Sequence, residues 1–200
     1  MSGAVITYDG PVGRWEPGTP GRLVAAAAEL FAEQGYERTT VAAIAERAGL
    51  TERTFFRYFP DKREVLFSGF EQLETELLAA VAEAPAELSG LEVAVRAMRG
   101  IAVAHFADDL AGVRWREEFI EANEELRERE LLKLAGIGVL LTGALRARGM
   151  DRAEAGLAAD GALAVFRAAL ATWTAPDGGQ DLGTVIDATL DRFRGLVSGR

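Results

Sequence analysis

Between Thr51 and Arg63 the chain gathers side chains able to read and hold nucleic acid: Arg53, Thr54, Arg57, Tyr58, Lys62 and Arg63, with Glu52 and Asp61 as the only acids. Arginine donates bidentately to guanine, threonine hydrogen-bonds a base edge or packs its methyl on thymine, and tyrosine or lysine meets a phosphate oxygen. The segment carries a local +2, although the 200-residue chain has a net charge of −9. Residues 1–66 hold 8 Lys/Arg and 9 Asp/Glu, so the acid is concentrated after them, where the net charge is −8. Local charge governs phosphate contact, and an attractive tip can therefore coexist with an acidic body. Such a protein has modest non-specific affinity and depends on two tips binding together. The raw material for an enzyme is thin. There is no cysteine, one histidine (His105), and no HExxH or GxSxG pattern. The carboxylates Glu117, Glu118, Glu124 and Glu125 read as a solvated helix face, and His105 as a structural residue. No metal site and no cofactor are expected.

These donors need a rigid support, and the local pattern supplies one. Thr40 is suited to cap a helix whose apolar positions Val41, Ile44, Ala45 and Ala48 fall on one stripe. Gly49 tolerates the left-handed backbone that ends it, Leu50 plugs the corner, and Thr51 caps the next helix. Pro60 stops that second helix after about two turns. Projection puts Phe55 and Phe59 on the core side and Arg53, Thr54, Arg57 and Tyr58 on the opposite side. Asp61 and Glu64 have capping-box spacing, which predicts a further helix from Asp61 to about Glu83, with Lys62 and the free first-turn amides suited to a phosphate. Upstream, RLVAAAAELFAEQ (22–34) is a helix stopped by Gly35.

The run LVAAAAELFAEQGYERTTVAAIAERAGLTERTFFRYFPDKREVL resembles the N-terminal DNA-binding domain of the TetR family of bacterial transcriptional regulators. The likeness covers about Arg22–Leu66: the Ala-rich first helix ending in LF, the Gly35 stop, Thr39–Thr40, the IA..AG segment, and FFRYF followed by Lys62. It implies that Thr40 and Lys62 hold phosphates, that Thr51, Arg53 and Thr54 lie in or beside the major groove, and that Tyr58 contacts the backbone. Many members have Tyr where this chain has Phe56, so that hydroxyl contact is absent and the ring packs on sugar or on the core. Arg53 replaces a residue that is often small, which adds a guanine preference.

Beyond residue 66 the 3.6-residue period persists without strands, giving an all-α bundle of about nine helices in total. The expected division is an arm over 1–20, a helix-turn-helix head over 21–66 and a ligand-binding and dimerisation body over 67–200. In the arm, Arg14 can reach a minor groove. Two terminal helices, 152–173 and 182–197, place Leu163, Phe166, Leu170 and Trp173, and then Ile186, Leu190 and Phe193, on apolar faces. Such a hairpin either completes the monomer core or, as the resemblance implies, forms a four-helix interface in a twofold homodimer. Twofold pairing implies a palindromic double-stranded operator. The stretch HFADDLAGVRWREEFIEAN (105–123) resembles a TetR subgroup that includes acyl-CoA-like ligand sensors and mycofactocin-associated regulators. This marks Arg114, Trp115, Phe119, Phe166 and Arg167 as candidate lining for a small-molecule effector. By family analogy the protein is a repressor released by that effector; the alternatives are a ligand-independent architectural DNA-binding protein and an all-helical enzyme. Apolar runs are broken by charge or Gly short of the ~20 residues a bilayer crossing needs, so the expected location is cytoplasmic, with no membrane partner.

Overall fold

The computed structural model describes residues 18–199. Among them are nine α-helices and no strand: α1 (Thr19–Gln34), α2 (Val41–Arg47), α3 (Glu52–Tyr58), α4 (Phe70–Ala82), α5 (Gly90–Phe106), α6 (Leu110–Glu121), α7 (Glu124–Ala147), α8 (Arg152–Thr174) and α9 (Leu182–Val197), with a 3₁₀ turn over Glu64–Phe67. The arm expected over residues 1–20 ends earlier, because α1 begins at Thr19 with Pro20 in its first turn. Residues 1–17, Arg14 among them, lie outside the described residues.

Two compact units emerge. The first contains the chain up to Phe70 together with Ala111–Arg127, and the second contains Glu71–Leu110 and Glu128 onward. Segment 111–127, expected in the body, thus groups with the head. Its reason is aromatic: Phe119 stacks on Phe31 at 5.3 Å, and Trp115 stacks on Phe119 at 5.0 Å. Leu23, Phe31, Ile44, Phe55, Phe59 and Ile120 share this core.

The head departs from expectation after Pro60. Instead of one helix from Asp61 to about Glu83, there is a 3₁₀ turn, a break at Ser68–Gly69 and only then α4. Val65, Leu66 and Phe67 are all buried, and three consecutive side chains cannot share one α-helical stripe. The 3₁₀ turn sets successive side chains about 120° apart, so their common burial reflects enclosure by the head core; Gly69, at φ +81°, supplies the left-handed residue that redirects the chain. Asp61 still caps: its Oδ1 accepts from the Arg63 and Glu64 amides at 2.8 and 3.3 Å.

In the second unit α5 is central, packed on α8 and α9. Ser89 and Glu92 close a capping box at its start. The face of α8 toward these neighbours is built from Ala155, Ala158, Ala159, Ala162 and Ala169. Gly161 permits close approach, since a Cβ there would come within 3.2 Å of Leu91 and 3.4 Å of the Phe193 ring. By length and composition alone α8 is apolar enough to cross a membrane, which the sequence expectation missed, yet its alanine face is occupied by α5 and α9. Arg148 ties α7 to α4: its guanidinium donates to the carbonyls of Val81, Ala82 and Pro85 at 3.0, 3.2 and 2.9 Å. These are C-terminal carbonyls with few intrahelical donors left to them. Arg148→Ala is therefore expected to lower stability by about 1–3 kcal/mol in urea unfolding, and Arg148→Lys to restore less than half of it. An unchanged midpoint for Arg148→Ala would show that water satisfies these carbonyls equally well.

Candidate nucleic-acid interface

The turn between α2 and α3 forms as its residues dictate. Thr40 Oγ1 accepts the Ala43 amide at 3.1 Å, Gly49 adopts φ +66°, and Leu50 packs on the head core. Thr51 Oγ1 accepts the Thr54 amide at 3.2 Å and shares a 3.0 Å hydrogen bond with Thr54 Oγ1. Whichever hydroxyl gives its proton to the other, one proton is left for an outside acceptor. Phe59 leaves the helix in extended conformation before Pro60.

Phe55 is 0% exposed and Phe59 is buried, so the rear of α3 is anchored. Arg53, Arg57 and Tyr58 are exposed, Thr54 is half-buried beside them, and Thr51 and Thr40 are exposed at the helix starts. Arg53 has no hydrogen bond or ion pair among the described residues, so its five donors remain available to a base edge. Arg57 is folded along the helix instead: Nη2 donates to the Tyr58 hydroxyl at 2.8 Å, and the guanidinium lies 4.7 Å from that ring's centroid. The pair presents a guanidinium and a phenolic proton together, a combination suited to a phosphate rather than to a base.

Lys62 is tied into the head. Its ammonium donates to the carbonyls of Tyr36 and Thr39 at 2.8 and 3.2 Å and sits 3.9 Å from the Tyr36 ring centroid. Two of its three donors are committed to the loop that delivers Thr40, which leaves one for an outside acceptor. Two residues unforeseen as structural parts hold the same loop. Thr39, 1% exposed, donates to the Gly35 and Leu30 carbonyls, and the Tyr36 hydroxyl donates to Glu125 Oε2 at 3.2 Å. Burial, and then that hydrogen bond, push the Tyr36 phenol well above its ordinary pKa, keeping it a neutral donor. Arg47 also bridges α2 to Glu29 and Glu33 on α1, and its hydrogen bond holds the Glu33 carboxyl below the usual range. The i,i+4 spacing of Glu29 and Glu33 was the available signal for this clamp.

The expected ligand residues fall in both units. Trp115 and Phe119 belong to the head's aromatic stack, Arg114 lies on α6 with them, and Phe166 and Arg167 lie on α8. A cavity of about 760 Å³ opens in the second unit among α4, α5 and α9, and none of those five residues lines it. Two of the expected dimer residues are also displaced. Trp173 is 2% exposed with its indole N–H on the Gln180 carbonyl, and Ile186 is buried, so both complete their own chain's core. Leu163, Phe166, Leu170, Leu190 and Phe193 are half-buried.

A capped helix-turn-helix with a donor-lined second helix, continued into a wholly helical second unit among the described residues, defines a DNA-binding regulator. Residues 23–68 match the family described as bacterial regulatory proteins, tetR family. The HTH-type transcriptional regulator TcmR of Streptomyces glaucescens is 40% identical over 83 residues, 42% of this chain and 37% of TcmR's length. The fatty acid metabolism regulator protein of Bacillus subtilis is 26% identical over 187 residues, covering 89% of this chain and 93% of that protein. The fold matches that of Thermus thermophilus FadR, solved with lauroyl-CoA, at a TM-score of 0.55 and 24% identity over 88% of this chain and 93% of that one. Residues 23–68 therefore resemble a tetR-family DNA-binding domain, and the likeness to TcmR spans little more than a third of that protein's length.

The two basic residues have separable roles. Arg53→Ala is expected to reduce discrimination at one base pair per half-site by about 1–3 kcal/mol, read as flattened preference in competition binding. Lys62→Ala is expected to lower the melting temperature and to weaken all sequences by a common factor. A normal melting temperature with the full loss of about 0.9 in salt slope per head would place the ammonium on a phosphate instead.

Proposed function

We propose that this regulator is a repressor that binds a palindromic operator as a twofold dimer in the cytoplasm and is released by a small molecule with an apolar chain. The observation that carries the reading is the exposed arc of Arg53, Arg57 and Tyr58 on a two-turn helix whose rear is locked by Phe55 and Phe59. Two such helices held at one DNA turn, or a multiple of it, read inverted half-sites.

The pairing surface we favour differs from the one inferred from apolar periodicity. Leu157 is 75% exposed on α8 and shares its outer stripe with exposed Ala164, Ala168 and Ala171, while α9 exposes Ala188 and Leu196. Small residues let helices approach closely, and a leucine exposed to this degree gains by burial. The half-buried Leu163, Phe166, Leu170, Leu190 and Phe193 then border the seam.

For the effector, the Bacillus relative's name and the lauroyl-CoA complex of the Thermus protein support an acyl class. The cavity agrees in part, with Leu88, Val95, Ile101 and Leu190 in its wall. Its charged lining is Arg96 and Arg99 against Glu76, Glu83, Glu92 and Asp187, and Arg99 is already paired with Asp187 at 2.9 Å. That balance suits an acyl chain and leaves a polyanionic head group at the solvent mouth. A ligand releases DNA only through differential affinity for the two states, about 1.4 kcal/mol per tenfold change.

Titrating the full chain onto genomic fragments at fixed salt, then adding lauroyl-CoA, lauric acid or free coenzyme A, tests both parts. The expected result is a selected palindrome released by the acylated compounds and not by coenzyme A. Retention of DNA under every effector class would favour ligand-independent binding. Leu157→Glu is expected to give monomers by sedimentation and at least tenfold weaker operator binding; an intact dimer would exclude this seam.

A further inference from the structure

The most exposed aromatic residue of α3 takes part in none of these hydrogen bonds. Phe55 and Phe59 are buried, whereas Phe56 is 54% exposed. Packing on the core, one of the two fates open to Phe56 from sequence, is thereby excluded. Along an α-helix it lies about 60° around the axis from Arg53, three residues earlier, and so shares the outward arc with the one arginine of this helix that is free to meet a base. Its ring meets Phe55 edge-on, with centroids 5.6 Å apart and planes at 82°, so the exposed ring is propped by a buried one.

Without a hydroxyl, Phe56 has no hydrogen bond to offer a phosphate or a base edge. The apolar group that a major groove presents to such a ring is the C5-methyl of thymine. Resting on the DNA-binding reading given above, we propose that Phe56 is a specificity residue that reads a thymine methyl next to the base pair addressed by Arg53. Each half-site then carries a methyl-dependent position beside a guanine-dependent one.

Replacing operator thymines one at a time by deoxyuridine removes the methyl and keeps every base-pair hydrogen bond. With the unaltered full-length dimer and its selected operator, one position per half-site is expected to lose about fourfold in affinity, the equivalent of one buried methyl-sized group. Phe56→Ala is expected to weaken binding and to bind thymine and uracil duplexes alike at that position, whereas Phe56→Leu keeps part of the difference. Because the first comparison alters only the DNA, a folding defect cannot imitate it. Tight operator binding that is indifferent to every uracil, or a thymine preference that survives in Phe56→Ala, overturns the assignment while leaving the regulator intact. Failure to select any duplex overturns both.

Discussion

A seven-residue helix does not hold its shape in water, and everything the head does depends on how that problem is solved. Nucleating a helix fixes several residues for one hydrogen bond, so two turns need outside support. Here Phe55 and Phe59 insert into a core shared with Leu23, Phe31, Ile44 and Ile120, and Thr51 caps the other end. The support costs the helix one face and leaves the other for donors. A rigid donor array loses little side-chain and backbone freedom on docking, which is how a head of net charge near zero can bind DNA with local charge alone.

The same economy shapes the loop before α2. Lys62, Thr39 and Tyr36 tie the 35–40 segment through carbonyl and carboxylate hydrogen bonds, so Thr40 is delivered at a fixed place as both cap and exposed hydroxyl. A cation on carbonyl oxygens holds a turn that has no regular ladder of its own. Charge on the head thus serves two ends: Arg53 is free, Arg57 is lent to Tyr58, and Lys62 gives two of its three donors to the protein's own loop.

Much of this was legible in the chain. Thr40, Gly49, Thr51 and Pro60 bound their helices by local chemistry, and Phe55 and Phe59 faced inward as their spacing required. What the sequence does not show depends on partners distant along the chain. Nothing near Phe119 says that Phe31 will receive its ring, and nothing near Lys62 says that the Tyr36 and Thr39 carbonyls will accept its hydrogen bonds. Trp173 and Ile186 show a further limit, since an apolar stripe reports burial and not whether the same chain or a copy provides it. The run Val65–Phe67 was misread as α-helix because a capping signal starts a helix without setting its pitch.

Methylation interference on the selected operator probes the central claim most directly, since a methyl on guanine N7 blocks the major groove and one on adenine N3 blocks the minor groove. An α3 arc seated in the major groove predicts loss of binding at symmetry-related guanines in the two half-sites, and disappearance of that effect with Arg53→Ala. Interference confined to adenine N3, or guanine interference unchanged in that variant, would contradict it.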